Sequence, residues 1–97
     1  MIAVISLSAG AASAQGDPET GRSLALQWCT SCHVVDLEGR GTDAAPPLPM
    51  LVQQELRTPD ELRGWLAAPH PPMPDLALTR QEIEDIVAYL EGLASQQ

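Results

Sequence analysis

The sequence predicts a small all-α domain. Three stretches begin with helix-capping residues and continue with apolar residues at the spacing of a helix. The segments between them are rich in proline and glycine, and no stretch alternates apolar and polar residues as a half-buried strand would. These observations predict three main helices joined by two long, stiff loops.

The first predicted helix begins at Asp17. Asp17 is a favourable N-cap residue, Pro18 suits the first helical position, and Glu19 places an acid in the first turn. An apolar face follows at positions i, i+3, i+4 and i+7 and leads directly into Cys29; it comprises Gly21, Leu24, Ala25 and Trp28.

Residues 34–57 form the first predicted loop. Glycines and prolines interrupt this segment, so we expect irregular structure at least through Pro49. The remaining residues leave room for a short additional helix from Leu51 to Leu56.

The other two main helices each begin with a capping box. The first box spans 58–61 and opens a helix that Pro69 ends. Residues 67–75 contain too many prolines for a regular element and predict an extended, stiff loop. The second box spans 79–82 and opens the last helix, whose apolar residues repeat with the helical period: Ile83, Ile86, Val87, Leu90 and Ala94.

Residues 1–14 predict a secretory signal peptide. They carry no charge, contain a short apolar run and end in Ala12-Ser13-Ala14, the small-x-small pattern of a cleavage site. They lack the basic residue that usually precedes such a run, and the run is too short to span a bilayer. The functional domain is then residues 15–97, which we expect to be exported.

The formal charge of −8 limits the partners of this domain. Nucleic acid is excluded because its phosphates require Lys and Arg, of which the chain has 5 in total. A docking protein should present a basic face to such a surface. Simple solvation of the acids is an equally good explanation of the charge.

The chemically distinctive stretch is Cys29-Thr30-Ser31-Cys32-His33. Cys-x-x-Cys-His is typical of c-type haem attachment, in which two thiols add to the porphyrin vinyl groups and the adjacent imidazole reaches the iron. A thioredoxin-like dithiol site requires a strand-helix-strand pattern, which this sequence lacks. Structural zinc could use His70 as a fourth ligand, but the spacing is not that of a zinc finger.

A haem iron needs a sixth ligand, and the second loop offers two candidates. Met73 lies between Pro72 and Pro74, which leave its backbone little freedom. His70 lies in the same loop and carries the stronger ligand, an imidazole.

With these motifs in this order, the sequence resembles the class I c-type cytochromes, especially the short bacterial ones, over nearly all of residues 17–93. Gly21 matches the family's glycine at the crossing of the first and last helices, and Tyr89 matches the aromatic residue there. Pro46 corresponds to the proline whose carbonyl accepts a bond from the ligating imidazole. Met73 matches the axial methionine and is favoured over His70 on that pattern.

The resemblance implies a cytochrome c-like fold of three main helices around one covalently attached haem. It implies thioether bonds through Cys29 and Cys32, with His33 and Met73 as ligands of the iron. The other residues that it places against the haem or its ligand are Pro46, Leu48, Trp65 and Leu66.

The implied function is periplasmic electron transfer without catalysis. The expected partners are redox proteins with a basic docking face, such as a dehydrogenase, a quinol-oxidising complex or a terminal oxidase, and the protein would be a monomer or a subunit of a hetero-complex without a stable membrane span. Two alternatives stay open: a haem subunit bound permanently to one dehydrogenase, and a ligand-binding haem sensor if Met73 does not ligate.

The sequence departs from the family pattern at two places. Ala25 stands where the family usually has an aromatic residue, and we expect Trp28 to replace its bulk. The segment from Pro69 to Met73 is shorter than in the mitochondrial proteins, so no propionate ligand is transferred to this chain.

Overall fold

The described part of the chain contains four helices. A computed structural model describes residues 16–54, 58–68 and 71–97. The helices are α1 (Pro18–Trp28), α2 (Leu48–Gln54), α3 (Pro59–Ala67) and α4 (Arg80–Ser95). Extended pairing in these ranges is limited to one isolated antiparallel bridge between Val34 and Gly41. The predicted all-α class is confirmed, whereas the predicted signal peptide lies outside the described residues.

The three predicted helix starts are confirmed by their hydrogen bonds. The Asp17 carboxylate accepts the backbone N–H groups of Glu19 and Thr20 at the start of α1. Both capping boxes are formed, at Thr58 for α3 and at Thr79 for α4. These contacts satisfy N–H groups that otherwise lack a partner within the helix, so local sequence alone determines where these helices begin.

The short helix α2 begins earlier than the sequence predicts. It starts at Leu48 instead of Leu51 and includes Pro49, which we expected to lie in the loop. Proline is compatible with the first helical turn because its missing N–H would have no helical partner there. The carbonyl of Pro47 accepts bonds from the N–H groups of Met50 and Leu51 and closes this turn.

The helices α1 and α4 cross with their backbones close together. A Cβ built at Gly21 would overlap the carbonyl group of Asp85 and lie 2.9 Å from the Cβ of Tyr89. The Tyr89 hydroxyl donates a buried hydrogen bond of 2.6 Å to the carbonyl of Val35. The predicted roles of Gly21 and Tyr89 at this crossing are confirmed.

The hydrophobic core is centred on α4, which packs against each of the other three helices. Among the described residues, Ile86 and Val35 are its largest fully buried side chains, so the innermost part of the core consists of medium-sized aliphatic residues. Its buried apolar members are Ala25, Cys29, Val35, Val52, Leu62, Ile86, Val87, Tyr89, Leu90 and Leu93.

Trp28 does not replace the bulk that is missing at Ala25. Ala25 is fully buried, but Trp28 is 48% exposed. Trp28 is the last residue of α1 and lies about 10 Å along the helix from Gly21 at a rise of about 1.5 Å per residue. The helix therefore carries the indole beyond the crossing with α4, and the expectation from sequence was wrong.

An ion pair and a buried leucine attach α3 to α4. The Arg63 guanidinium donates two hydrogen bonds to the Glu84 carboxylate, at 2.7 and 3.1 Å. These bonds lower the pKa of Glu84 and raise that of Arg63. Leu62, which precedes Arg63, is buried in the hydrophobic core. Among the described helices, none has the length and apolar character needed to cross a membrane.

Candidate functional site

The Cys29–His33 stretch continues α1 by one irregular turn. The N–H of Cys29 donates to the carbonyl of Ala25 at 2.9 Å, and the carbonyl of Cys29 then accepts the N–H groups of Cys32 and His33 at 3.2 and 2.9 Å. The chain thus coils on itself immediately after the helix. This turn keeps the two thiols and the imidazole together at one end of α1.

The two cysteines occupy different environments. Neither forms a disulfide, and Cys29 is buried whereas Cys32 is exposed. Burial, together with the charge of a Cys32 thiolate, raises the pKa of the Cys29 thiol to about 11. Cys29 is therefore protonated at neutral pH, which does not suit a thiolate-based redox centre. A buried thiol beside an exposed one is compatible with two thioether links along the edge of a flat cofactor.

His33 is oriented by a backbone carbonyl. Its Nδ1 lies 2.6 Å from the carbonyl oxygen of Pro46. In the tautomer that satisfies this contact, Nδ1–H donates to Pro46 and Nε2 keeps its lone pair. Such a hydrogen bond fixes the ring orientation of a metal-ligating histidine and increases its basicity. The hydrogen bond expected between these two residues is present, while their role towards iron stays a prediction.

A folded loop brings Pro46 to the histidine. The Ala45 N–H donates to the Cys32 carbonyl at 2.7 Å, and the Leu48 N–H donates to the Val34 carbonyl at 2.8 Å. Gly41 has a φ of 118°. A Cβ built there would overlap the His33 carbonyl, so the loop can approach the motif closely only with glycine at this position.

The sequence prediction did not identify Gly41 or Thr42 as parts of this site. The Thr42 hydroxyl lies within hydrogen-bonding distance of the carbonyls of Ser31 and Thr30, at 2.8 and 3.2 Å, and ties the loop to the cysteine turn. In the sequence, Gly41 is one of the glycines that interrupt the first predicted loop. A local pattern cannot show which backbone a glycine approaches, and a threonine in a loop gives no signal at all.

The remaining predicted site residues lie on α2, on α3 and in the loop before α4. Leu48 and Leu66 are half-buried and pack against the core, and Trp65 is 40% exposed. Met73 is half-buried. Pro69 and His70 lie outside the described residues. In residues 16–54, 58–68 and 71–97, no three His, Cys, Asp or Glu side chains are grouped as ligands of a metal ion would be.

These observations fit a covalently attached haem. The two thiols are free, the imidazole has one nitrogen engaged and one available, and the polypeptide leaves the aromatic ring of Trp65 partly uncovered. A porphyrin would supply the large apolar surface that the core lacks, since the chain contains no Phe.

Comparison with known proteins identifies the family. The family model for cytochrome c matches residues 18–94. The chain belongs to the cytochrome c family. This cytochrome is 37% identical over 95 residues to cytochrome c-552 of Bradyrhizobium diazoefficiens, with 96% of this chain and 88% of the relative covered. No solved structure gives a significant match.

Membership of the family establishes the cofactor and its general chemistry. The cytochrome carries one haem c, and Cys29 and Cys32 occupy the attachment positions of the Cys-x-x-Cys-His motif. The haem iron supplies reversible one-electron chemistry. The protein is accordingly an electron carrier of the haem c type, and its polypeptide binds the group covalently.

Proposed function

We propose that this cytochrome is an exported, single-haem carrier that moves electrons between periplasmic redox proteins, with His33 and Met73 as its axial ligands. The observation that carries the proposal is the 2.6 Å contact between His33 Nδ1 and the Pro46 carbonyl. It holds the imidazole in the tautomer that presents Nε2, on the same turn as both cysteines. A histidine that only packs against its neighbours would need neither a fixed tautomer nor two cysteines on the same turn.

Met73 is the proposed second ligand. Its side chain is half-buried, in a segment whose prolines restrict the backbone. A thioether opposite an imidazole favours the reduced state and raises the reduction potential. Two protein ligands also leave oxygen and peroxide no open position, so electron transfer is favoured over catalysis.

The polypeptide would assist electron transfer by excluding water. Leu48, Leu66 and Trp65 are proposed to cover the faces of the haem, while the buried Cys29 anchors one edge. An apolar and rigid environment reorganises little when the haem iron gains or loses one electron. The rate then depends mainly on how closely a partner can approach.

The proposed partners are redox proteins with basic docking faces. The net charge of −8 would attract such a face and accelerate encounter. A dehydrogenase or a quinol-oxidising complex would be the donor, and a terminal oxidase would be an acceptor. Export to the periplasm rests on residues 1–14, which have the composition of a signal peptide.

A second candidate is a haem subunit held permanently by one dehydrogenase. The observation in its favour is the exposed Trp28 beside the attachment turn, because apolar surface near the haem is typical of a subunit interface. Isolation of the cytochrome from its native host would separate the two candidates. A free carrier elutes alone on size exclusion at moderate salt, whereas a subunit elutes with its enzyme.

Optical spectra of the protein matured in an export-competent host test the ligand assignment. We expect sharp reduced haem bands and, in the oxidised form, the weak far-red band of a sulfur–iron bond. Met73→Ala should abolish the far-red band and allow the reduced protein to bind carbon monoxide, because it empties the sixth position. His70→Ala is the matched control from the same loop and should keep the band.

Loss of the band in His70→Ala but not in Met73→Ala would contradict the ligand assignment. Carbon monoxide binding to the unmodified reduced protein would instead support a ligand-binding sensor.

A further inference from the structure

Thr42 contacts three peptide groups of the attachment turn. Its hydroxyl donates to the carbonyl of Ser31 at 2.8 Å, and the carbonyl of Thr30 lies 3.2 Å away. Its backbone N–H donates to the carbonyl of His33 at 3.2 Å. Carbonyl groups at the end of a helix have no partner within the helix, so a loop residue that bonds several of them is held against that end.

The contacts of Thr42 fix the start of a short segment that ends at Pro46. Within this segment, Ala45 donates its N–H to the carbonyl of Cys32 at 2.7 Å. The segment therefore lies along the attachment turn, and the Pro46 carbonyl at its end reaches Nδ1 of His33. A change in the contacts of Thr42 is thus transmitted to the partner of the imidazole through only a few residues of chain.

We propose that Thr42 is a positioning residue for the haem ligand: its hydroxyl holds the Pro46 carbonyl at the His33 imidazole and thereby lowers the reduction potential. The inference rests on the proposed ligation of the iron by His33. Gly41 only permits the loop to approach, because it has no Cβ. The hydroxyl of Thr42 supplies the bonds that keep the loop in that place.

The distance between His33 Nδ1 and the Pro46 carbonyl oxygen affects how strongly the imidazole binds ferric iron. At 2.6 Å the carbonyl polarises the Nδ1–H bond and increases the basicity of Nε2. A more basic imidazole stabilises the ferric state more than the ferrous state, which lowers the reduction potential of this one-electron couple. If the carbonyl withdraws, we therefore expect the potential to rise.

Thr42 is exposed, which makes its hydroxyl removable without leaving a buried polar group unpaired. Thr42→Val keeps the shape of the side chain and removes only the hydroxyl. Water can then bond the carbonyls of Ser31 and Thr30, so the variant should fold and carry haem. A water molecule is not attached to the loop, however, and it satisfies these carbonyls without holding residues 42–46 in place.

Spectroelectrochemistry of the matured holoproteins gives the first test. Thr42→Val should raise the reduction potential, and Thr42→Ser, which keeps a hydroxyl, should return it to the value of the unmodified protein. The sign separates positioning from general loosening, because water that enters the haem site stabilises the more highly charged ferric state and lowers the potential. A lowered or unchanged potential in Thr42→Val, or a shift that Thr42→Ser does not reverse, would contradict the inference.

Thr20→Val is the matched control. Thr20 is also exposed, and its hydroxyl donates to the Asp17 carboxylate at 2.6 Å, at the opposite end of α1. This substitution removes a comparable hydrogen bond but no contact between the loop and the attachment turn. We expect it to leave the reduction potential unchanged. An equal rise in Thr20→Val and Thr42→Val would show that any loosening of α1 has this effect, and would overturn the specific role of Thr42.

Hydrogen exchange at His33 provides a readout independent of the reduction potential. In nuclear magnetic resonance spectra of the reduced holoproteins, the Nδ1 proton should exchange with solvent about tenfold faster in Thr42→Val than in the unmodified protein, because the Pro46 carbonyl releases it more often. The ring protons of His33 in the unmodified protein test the ligation separately, since a ligand above a porphyrin shows strongly upfield-shifted signals. Shifted ring protons with equal exchange rates would overturn the inference alone; ordinary ring-proton shifts would overturn the proposed ligation and the inference with it.

Discussion

At Gly21 the absence of a side chain allows α1 and α4 to cross with their backbones in contact. A Cβ at this position would overlap the Asp85 carbonyl, which belongs to the backbone of α4 and cannot turn aside as a flexible side chain could. Glycine in the middle of a helix costs about 1 kcal/mol relative to alanine. The close crossing therefore has to contribute more stability than this cost.

We expect Gly21→Ala to lower the free energy of unfolding of the holoprotein by about 1 to 2 kcal/mol. The strain of an overpacked contact exceeds the gain in helix propensity. Gly92→Ala is the control, because a Cβ there meets no atom within 4 Å. It should raise the free energy of unfolding by about 0.5 to 1 kcal/mol.

Guanidinium unfolding followed by circular dichroism measures both variants. If the two substitutions changed the free energy of unfolding in the same direction, the close approach of α1 and α4 would not require glycine at position 21.

His33 illustrates a different role for a single residue. Its hydrogen bond to Pro46 depends on a carbonyl 13 positions away in the chain. The residue that makes this possible is Gly41, whose φ of 118° suits glycine and lets the loop fold back. A ligand geometry can thus be decided by a glycine that never touches the cofactor.

At the level of the elements, α4 is the helix on which the others are assembled. Its start is defined by two reciprocal bonds: the Thr79 hydroxyl accepts the Glu82 N–H at 3.1 Å, and the Glu82 carboxylate accepts the Thr79 N–H at 2.8 Å. At its other end, the Gln53 amide of α2 donates to the Ala94 carbonyl at 3.1 Å. These contacts provide hydrogen-bond partners for backbone groups at both ends of α4, and the second one also holds α2 against α4.

Removal of the cap tests how much this local signal contributes. Thr79→Ala should lower the free energy of unfolding by about 1 kcal/mol, because the Glu82 N–H loses its acceptor. Thr79→Ser keeps a hydroxyl and should remain within a few tenths of a kcal/mol of the parent. Thermal unfolding of the holoproteins compares them, and equal stability of the two variants would show that the cap is dispensable.

Over the described part of the molecule, the polypeptide core contains few large side chains. Among its fully buried side chains the largest are Ile86 and Val35, and the chain contains no Phe. A domain of this size usually needs a disulfide, a metal or a cofactor in addition to its side chains. The covalent haem of the family would supply that addition, because it is a large and mostly apolar group.

The protein made without haem should be much less ordered than the holoprotein. We expect the unmodified chain, produced in a host that lacks haem attachment, to lose most of its helical circular dichroism signal at 25 °C and to unfold without a sharp transition. The matured protein of identical sequence is the control and should unfold cooperatively. A cooperative transition at similar temperature in both forms would show that the side-chain core suffices.

The sequence by itself determined the helix starts and the chemistry of attachment. Capping boxes act over four residues, and the Cys-x-x-Cys-His motif acts over five, so both are encoded locally and are visible in the chain. The crossing glycine and the proline partner of His33 were also predicted, but from family resemblance and not from local physics.

Only the tertiary structure decided how distant segments meet. The start of α2 at Leu48, the approach of Gly41 to His33, and the exposure of Trp28 all depend on packing between parts of the chain that local patterns do not connect. Helical periodicity predicted that Trp28 lies on the buried face of α1. This prediction assumes that α4 covers α1 as far as its last residue. The crossing at Gly21 lies elsewhere, and this long-range geometry leaves the indole outside the polypeptide core.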